Sequence, residues 1–115
     1  MHLLIVGGAG YIGAHMVRHL HRAGYRPTTL DNLSAGHREA ITAGEFVHGD
    51  CADRALLDSL LGNGGFDAVM HFASLIQVGE SVREPARYYR NNVAHTQILL
   101  DAMLDHGVKR FIFSS

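Results

Sequence analysis

The sequence predicts a doubly wound α/β fold, a parallel sheet carrying helices on both faces. Three observations predict it. Short apolar runs alternate with segments of helical periodicity along all 115 residues. The first run, residues 2–6, is continuously apolar after His2, as expected of a central strand covered on both faces. The turn that leaves it is rich in glycine and passes directly into a helical pattern.

Each element has its own signal. Residues 2–6 read as the first strand. Residues 11–23 read as a helix, with Ile12, Met16, Val17 and Leu20 at helical spacing and Gly24 as its stop. Residues 26–30 read as a second strand, with Pro27 tolerable near its start. Asp31 through Gly36 is turn-rich, and a short helical piece follows near 37–43. Residues 45–48 read as a third strand ending at Gly49-Asp50. Asp53 is positioned to cap a helix over 54–61, whose apolar face is Leu56, Leu57, Leu60 and Leu61. Residues 68–72 read as a fourth strand. Pro85 introduces a long helix over 86–106, stopped by Gly107, with Val93, Ile98, Leu99, Ala102 and Met103 on its apolar surface. Residues 110–113 begin a fifth strand. Right-handed crossovers leave 3-2-1-4-5 as the natural strand order, a Rossmann-type sheet. Ligands of such sheets bind beyond the carboxyl ends of the strands. The glycine turn, Asp31, Asp50 and the segment Phe72–Ser74 all follow strand ends on that edge.

The bulk numbers narrow the class. The length allows a single domain, residues 1–115. Hydrophobic residues make up 47%, charged residues 18%, and the net charge is −1, the balance of an ordinary globule with no basic surface for nucleic acid. No apolar run approaches membrane-spanning length, and no leader pattern precedes the first strand. The single cysteine, Cys51, excludes an internal disulfide and fits a reducing cytoplasm.

The motif Gly7-Gly8-Ala9-Gly10-Tyr11-Ile12-Gly13 satisfies two templates. Gly8, Gly10 and Gly13 match G-x-G-x-x-G, and Gly7, Gly10 and Gly13 match G-x-x-G-x-x-G. Glycines let the chain turn sharply and let a pyrophosphate approach the backbone, while the helix N-terminus supplies N–H groups and a favourable dipole. Asp31 ends the second strand, where a carboxylate accepts from both hydroxyls of an adenosine ribose and repels a 2′-phosphate. No Arg or Lys follows it until Arg38. The motif and the acid together predict a dinucleotide cofactor, NAD rather than NADP. A flavin or another adenosine cofactor is the nearer rival, and a ligand-free βα turn the more remote one.

Other residues carry two readings each. Asp50 could accept from the adenine amine while Cys51 offers its backbone N–H, or the pair could be a helix-start turn. Small residues in Phe72-Ala73-Ser74 would let the backbone run beside a cofactor. Asn91 is polar amid Tyr88, Tyr89 and Val93, as either a ligand contact or an exposed helix residue. Cys51 has no identifiable partner for nucleophilic catalysis and reads as a small packed residue. His15, His19 and His21 share a helix, but no carboxylate or cysteine completes a metal set and H-E-x-x-H is absent. A solvated face is favoured, and no metal is expected.

With these residues in place the chain resembles the extended short-chain dehydrogenase/reductase family, and its sugar-nucleotide epimerases in particular. The resemblance is carried by Gly-Gly-Ala-Gly-Tyr-Ile-Gly at 7–13, Leu-Asp-Asn-Leu-Ser at 30–34, Gly-Asp at 49–50 and His-Phe-Ala-Ser at 71–74. Val-Gly-Glu-Ser-Val at 78–82, Tyr-Tyr-Arg-Asn-Asn-Val at 88–93 and Phe-Ile-Phe-Ser-Ser at 111–115 extend it along the whole chain. It implies NAD contacts at Tyr11 and Ile12, at Asp31, Asn32, Leu33, Ser34, Ala35 and Gly36, and at Asp50 and Cys51. It implies further contacts at Phe72, Ala73, Ser74, Leu75, Ile76 and Asn91. Some members have a lysine where Ile76 stands, so one positive contact is missing here.

The resemblance also implies a UDP-sugar substrate, a 4-keto intermediate, and a general-base tyrosine whose pKa a nearby lysine lowers, arranged as Y-x-x-x-K. This chain has no such pair. Its only lysine is Lys109, four residues after Asp105, and the family's catalytic serine would fall immediately after Ser115. The chain is thus expected to be the N-terminal part of a protein about three times as long, ending within or just after the fifth strand, with no catalytic residue of its own. Alone it is expected to be inactive, marginally stable and prone to associate through uncovered faces. In the family the helix matching 86–106 helps form a dimer. A dehydratase or another sugar-nucleotide epimerase stays open, as does a non-catalytic NAD-binding module.

Overall fold

The structure, a computed structural model, describes residues 1–33, 37–72 and 85–113, and of residues 85 and 87–92 the helix backbone alone. Five strands form one sheet: β1 (His2–Val6), β2 (Arg26–Asp31), β3 (Glu45–His48), β4 (Ala68–His71) and β5 (Arg110–Phe113). Their order is β3-β2-β1-β4-β5 and every pairing is parallel, as the sequence predicts. Among the described residues three α-helices connect them: α1 (Tyr11–Arg22), α2 (Arg54–Asn63) and α3 (Pro85–Asp105).

Successive side chains of β1 point to opposite faces, and both faces are covered. Leu4 and Val6 join Leu30 and Val69 beneath α2 and α3, where Leu57, Leu61, Leu99, Ala102 and Met103 close the larger core. Leu3 and Ile5 join Met70 and Phe72 beneath α1, against Val17 and Leu20. All five residues of β1 are buried, so its unbroken apolar run is a consequence of double coverage. Pro27 sits inside this sheet because the β2–β3 ladder begins only at Thr28↔Glu45. Arg26 N–H goes to Met1 O at 2.9 Å, so the next N–H position faces the side where β3 is not yet paired.

The capping expectations hold. Asp53 accepts from Leu56 N–H at 3.2 Å and starts α2. Gly24 and Gly107 follow α1 and α3 with φ of 91° and 73°. Arg54 ties α2 to α3 by pairing with both Asp58 and Asp105, and His106 reaches Asp58 at 2.9 Å.

Three local expectations are corrected. Ile12 is 48% exposed and Val93 51% exposed, so neither belongs to its helix's core stripe. Gly13, Ala14, Val17 and Leu20 form the buried stripe of α1, because close approach to the turn selects small residues there. The helical piece expected near 37–43 is a single 3-10 turn, Arg38–Ala40. Ile41 leaves helical geometry at φ −89°, ψ 104° to bury its side chain.

Candidate functional site

The carboxyl ends of β1, β2, β3 and β4 share one edge of the sheet, and Gly7, Asp31, Asp50 and Phe72 stand at or just after those ends. At β1 the chain turns through Gly7, whose φ of 84° is left-handed, and Gly7 N–H bonds Leu30 O at 2.8 Å. Gly10 caps α1 with no side-chain hydrogen bond, and the first turn holds no acidic residue. The first intrahelical bond that enters from the cap is Ala14 N–H to Gly10 O at 2.8 Å. The earlier N–H groups of Tyr11, Ile12 and Gly13 thus precede the helix ladder, at the positive end of the dipole.

The glycines of this turn differ in what they do. A methyl at Gly13 would stand 2.4 Å from Gly7 O and 2.8 Å from Gly8 Cα, so the fold itself excludes a side chain there. Among the described residues a methyl at Gly10 would meet only Gly7 O, at an ordinary 3.6 Å. Packing among the described residues gives no reason for glycine at that position, whereas a ligand pressed against the backbone would. That open backbone fits a diphosphate lying on the helix start. Beside it Tyr11, His15, Arg18 and His37 border a hollow of about 350 Å³.

Asp31 is the half-buried last residue of β2. Its Oδ2 accepts from Ala9 N–H at 2.9 Å, and its Oδ1 accepts from Leu33 N–H at 2.7 Å. The carboxylate therefore clasps the glycine turn and holds Leu33, a non-glycine residue at φ 63°. Sequence reasoning assigned Asp31 to a ligand and missed this clasp. Each oxygen accepts two bonds, so acceptor sites remain for ribose hydroxyls. Asn32 beside it is exposed.

Of the two readings of Asp50, the turn is directly visible. Its Oδ1 accepts from Ala52 N–H at 2.8 Å, and its carbonyl accepts from Asp53 N–H at 3.0 Å. Cys51 packs against the larger core. Burial, reinforced by the Asp50 charge, pushes its thiol up to about 11, so it is protonated at neutral pH and is a poor nucleophile. Phe72 is buried in the smaller core and gives its N–H to Val6 O at 2.7 Å, which leaves its carbonyl as the polar group it can offer a ligand. Ser34, Ala35, Gly36, Ala73, Ser74, Leu75 and Ile76 lie outside the described residues. Asn91 lies on α3, and its side chain is also outside them.

Two histidines at this edge were missed by sequence reasoning. His71 ends β4 with 2% of its surface exposed, stacked on Phe113 at 5.4 Å between ring centres. Neither ring nitrogen has a hydrogen-bond partner among the described residues. Burial, with a smaller contribution from His95, lowers its pKa to about 4. His95 on α3 comes close to Asp50 and Cys51, their donor atoms all within 4.8 Å of one another. No local spacing signals this set, because α2 and β4 lie between the turn and α3 along the chain.

His71 predicts a pH effect. Between about pH 6.5 and pH 4 the unfolded chain binds a proton at this residue that the folded chain does not. Stability is then expected to fall as pH falls through that window, by up to about 3 kcal/mol. Urea unfolding of His71→Leu at pH 7.5 and pH 4.5 should show a shallower loss than the parent. Equal losses would remove His71 as the cause.

The profile of the NAD dependent epimerase/dehydratase family matches residues 3–115. Over 113 residues the chain is 50% identical to a UDP-glucose 4-epimerase of Rhizobium leguminosarum bv. trifolii, covering 98% of this chain and 35% of that protein. It is 42% identical over 124 residues to a probable UDP-arabinose 4-epimerase of Oryza sativa subsp. japonica, covering 99% of this chain and 30% of the other. The crystal structure of UDP-glucose 4-epimerase from Brucella ovis in complex with NAD superposes with a TM-score of 0.93 at 49% identity. That match covers 99% of this chain and 35% of that one. The chain thus spans about a third of the length of such relatives. Among the described residues no helix is long and apolar enough to cross a membrane.

Proposed function

The chain belongs to the NAD dependent epimerase/dehydratase family, and from that premise we propose that residues 1–115 form the NAD-binding domain of a UDP-glucose 4-epimerase. The observation that carries this reading is the pairing of an uncapped helix start, open at Gly10, with the Asp31 carboxylate at the next strand end. The N–H groups of Tyr11 to Gly13 receive the diphosphate. Asp31 accepts from the adenosine ribose with the lone pairs its clasp leaves free. Asn32 through Gly36 continue the ribose side, Asp50 and Cys51 take the adenine end, and Phe72 through Ile76 with Asn91 border the rest of the cofactor.

The proposed reaction interconverts UDP-glucose and UDP-galactose through a 4-keto sugar. NAD, when bound, supplies hydride transfer at C4. The residues of this chain contribute binding and orientation. No Tyr-x-x-x-Lys pair is present in the 115 residues, so the chain alone is proposed to have no turnover. α3 is further proposed to take part in a homodimer. The UDP-arabinose relative supports a second reading, in which the same cradle serves a different UDP-sugar.

Calorimetric titration of the chain with NAD and with NADP tests the cofactor assignment. NAD is expected to bind at least ~10-fold more tightly, a difference of about 1.4 kcal/mol, because a 2′-phosphate would face the Asp31 carboxylate. Equal affinities would refute the assignment. Turnover of UDP-galactose by the purified chain would refute the proposed lack of catalysis.

A further inference from the structure

We infer that Asp50, Cys51 and His95 form a binding site for a zinc-class divalent cation. Three donors of different kinds reach one place from two parts of the chain. Asp50 and Cys51 stand on the turn between β3 and α2, and His95 stands on α3. The packing of α2 beside α3 over one sheet face brings them together, held by the Arg54 and His106 contacts to Asp58 and Asp105. A carboxylate oxygen, a sulfur and an imidazole nitrogen all lie within 4.8 Å of one another.

That spacing is close to a tetrahedral set. Donors bound at roughly 2.0–2.3 Å stand about 3.3–3.8 Å apart around the ion. Closure therefore needs a movement of roughly 1 Å. Asp50 is exposed, while Cys51 and His95 are half-buried. Asp50 Oδ1 already holds Ala52 N–H at 2.8 Å, which orients the carboxylate and leaves its second oxygen for the ion.

The donor set selects the cation. Thiolate with imidazole favours Zn²⁺ or Co²⁺, whereas Mg²⁺ and Ca²⁺ require oxygen ligands. Three protein donors with solvent at Asp50 leave a fourth position for water, so the ion is exchangeable. Binding replaces the Cys51 thiol proton, which is released to solvent. Asp50 and Cys51 are also assigned to NAD above, but the cation site does not rest on that reading, and a titration without NAD separates the two.

The test is titration of the metal-free 115-residue chain with Co²⁺, followed by absorption. Cys51 is the only cysteine, so a thiolate-to-cobalt charge-transfer band in the near ultraviolet can arise only there. The expected result is a band saturating at one Co²⁺ per chain and displaced by Zn²⁺. It should be absent in Cys51→Ser and at least ~10-fold weaker in binding for His95→Gln, since even outer-shell changes weaken metal sites by that much. His48→Gln, an exposed histidine outside the set, should leave the titration unchanged. No saturable band in the unmodified chain would overturn the site. So would saturation at one Co²⁺ per two chains, or an undiminished affinity in His95→Gln.

Discussion

Gly13→Ala is expected to cost the chain about 3 kcal/mol or more and to abolish NAD binding, because the added methyl would lie 2.4 Å from Gly7 O and 2.8 Å from Gly8 Cα. Both obstacles are backbone atoms of the turn, so no side-chain rotation relieves the clash. Relief requires α1 to move away from β1, which uncovers Val17 and Leu20 over the smaller core. Gly10→Ala is the informative partner. Its methyl would meet nothing closer than 3.6 Å among the described residues, so stability is expected to change by about 1 kcal/mol or less. Its NAD affinity should nevertheless fall at least ~10-fold, because the methyl occupies the backbone face assigned to the diphosphate. Urea midpoints with NAD calorimetry on both variants separate the two roles. An unchanged midpoint in Gly13→Ala would contradict the packing argument, and an unchanged affinity in Gly10→Ala would empty the proposed diphosphate position.

Asp31→Ala is expected to lose on both counts at once. The substitution removes the acceptors of Ala9 N–H and Leu33 N–H, two hydrogen bonds to a carboxylate in a half-buried position. A loss of about 2 kcal/mol is expected, since hydrogen bonds to charged groups are worth roughly 1.5–3 kcal/mol each and water replaces part of them. NAD affinity should fall at least ~10-fold, and the preference over NADP should disappear with the negative charge. Asp31→Asn keeps one oxygen, so it should retain part of the stability while losing the discrimination. If Asp31→Ala unfolds at the parent's midpoint, the clasp has no energetic weight. If it still prefers NAD, another group sets the choice.

Much of the fold was legible because its signals are local. An unbroken apolar run after His2 states that β1 is covered twice, and the structure buries all five of its residues. Asp53 three residues before Leu56 states a helix cap, and the bond is there. Strand and helix alternation with right-handed crossovers leaves one simple order, and it is the order observed. Ile12 and Val93 misled because an apolar residue at helical spacing looks the same whether its face meets the sheet or solvent. The glycine turn and Asp31 were visible as candidates. That Asp31 holds the turn itself was not, since a hydrogen bond from Ala9 to a side chain on the next strand leaves no local pattern.

By itself the sequence determined the alternation of strands and helices, their ends, the glycine turn and the acid at the end of β2, because these depend on neighbours along the chain. Only the tertiary structure decided that Asp31 holds the glycine turn, that Gly10 is open among the described residues where Gly13 is closed, and that His71 is buried with neither ring nitrogen partnered among them. It alone brought His95 to Asp50 and Cys51. The physical reason is that burial and contact between distant segments arise when helices pack on a sheet, and the spacing of residues within one element carries no record of what another element will bring beside it.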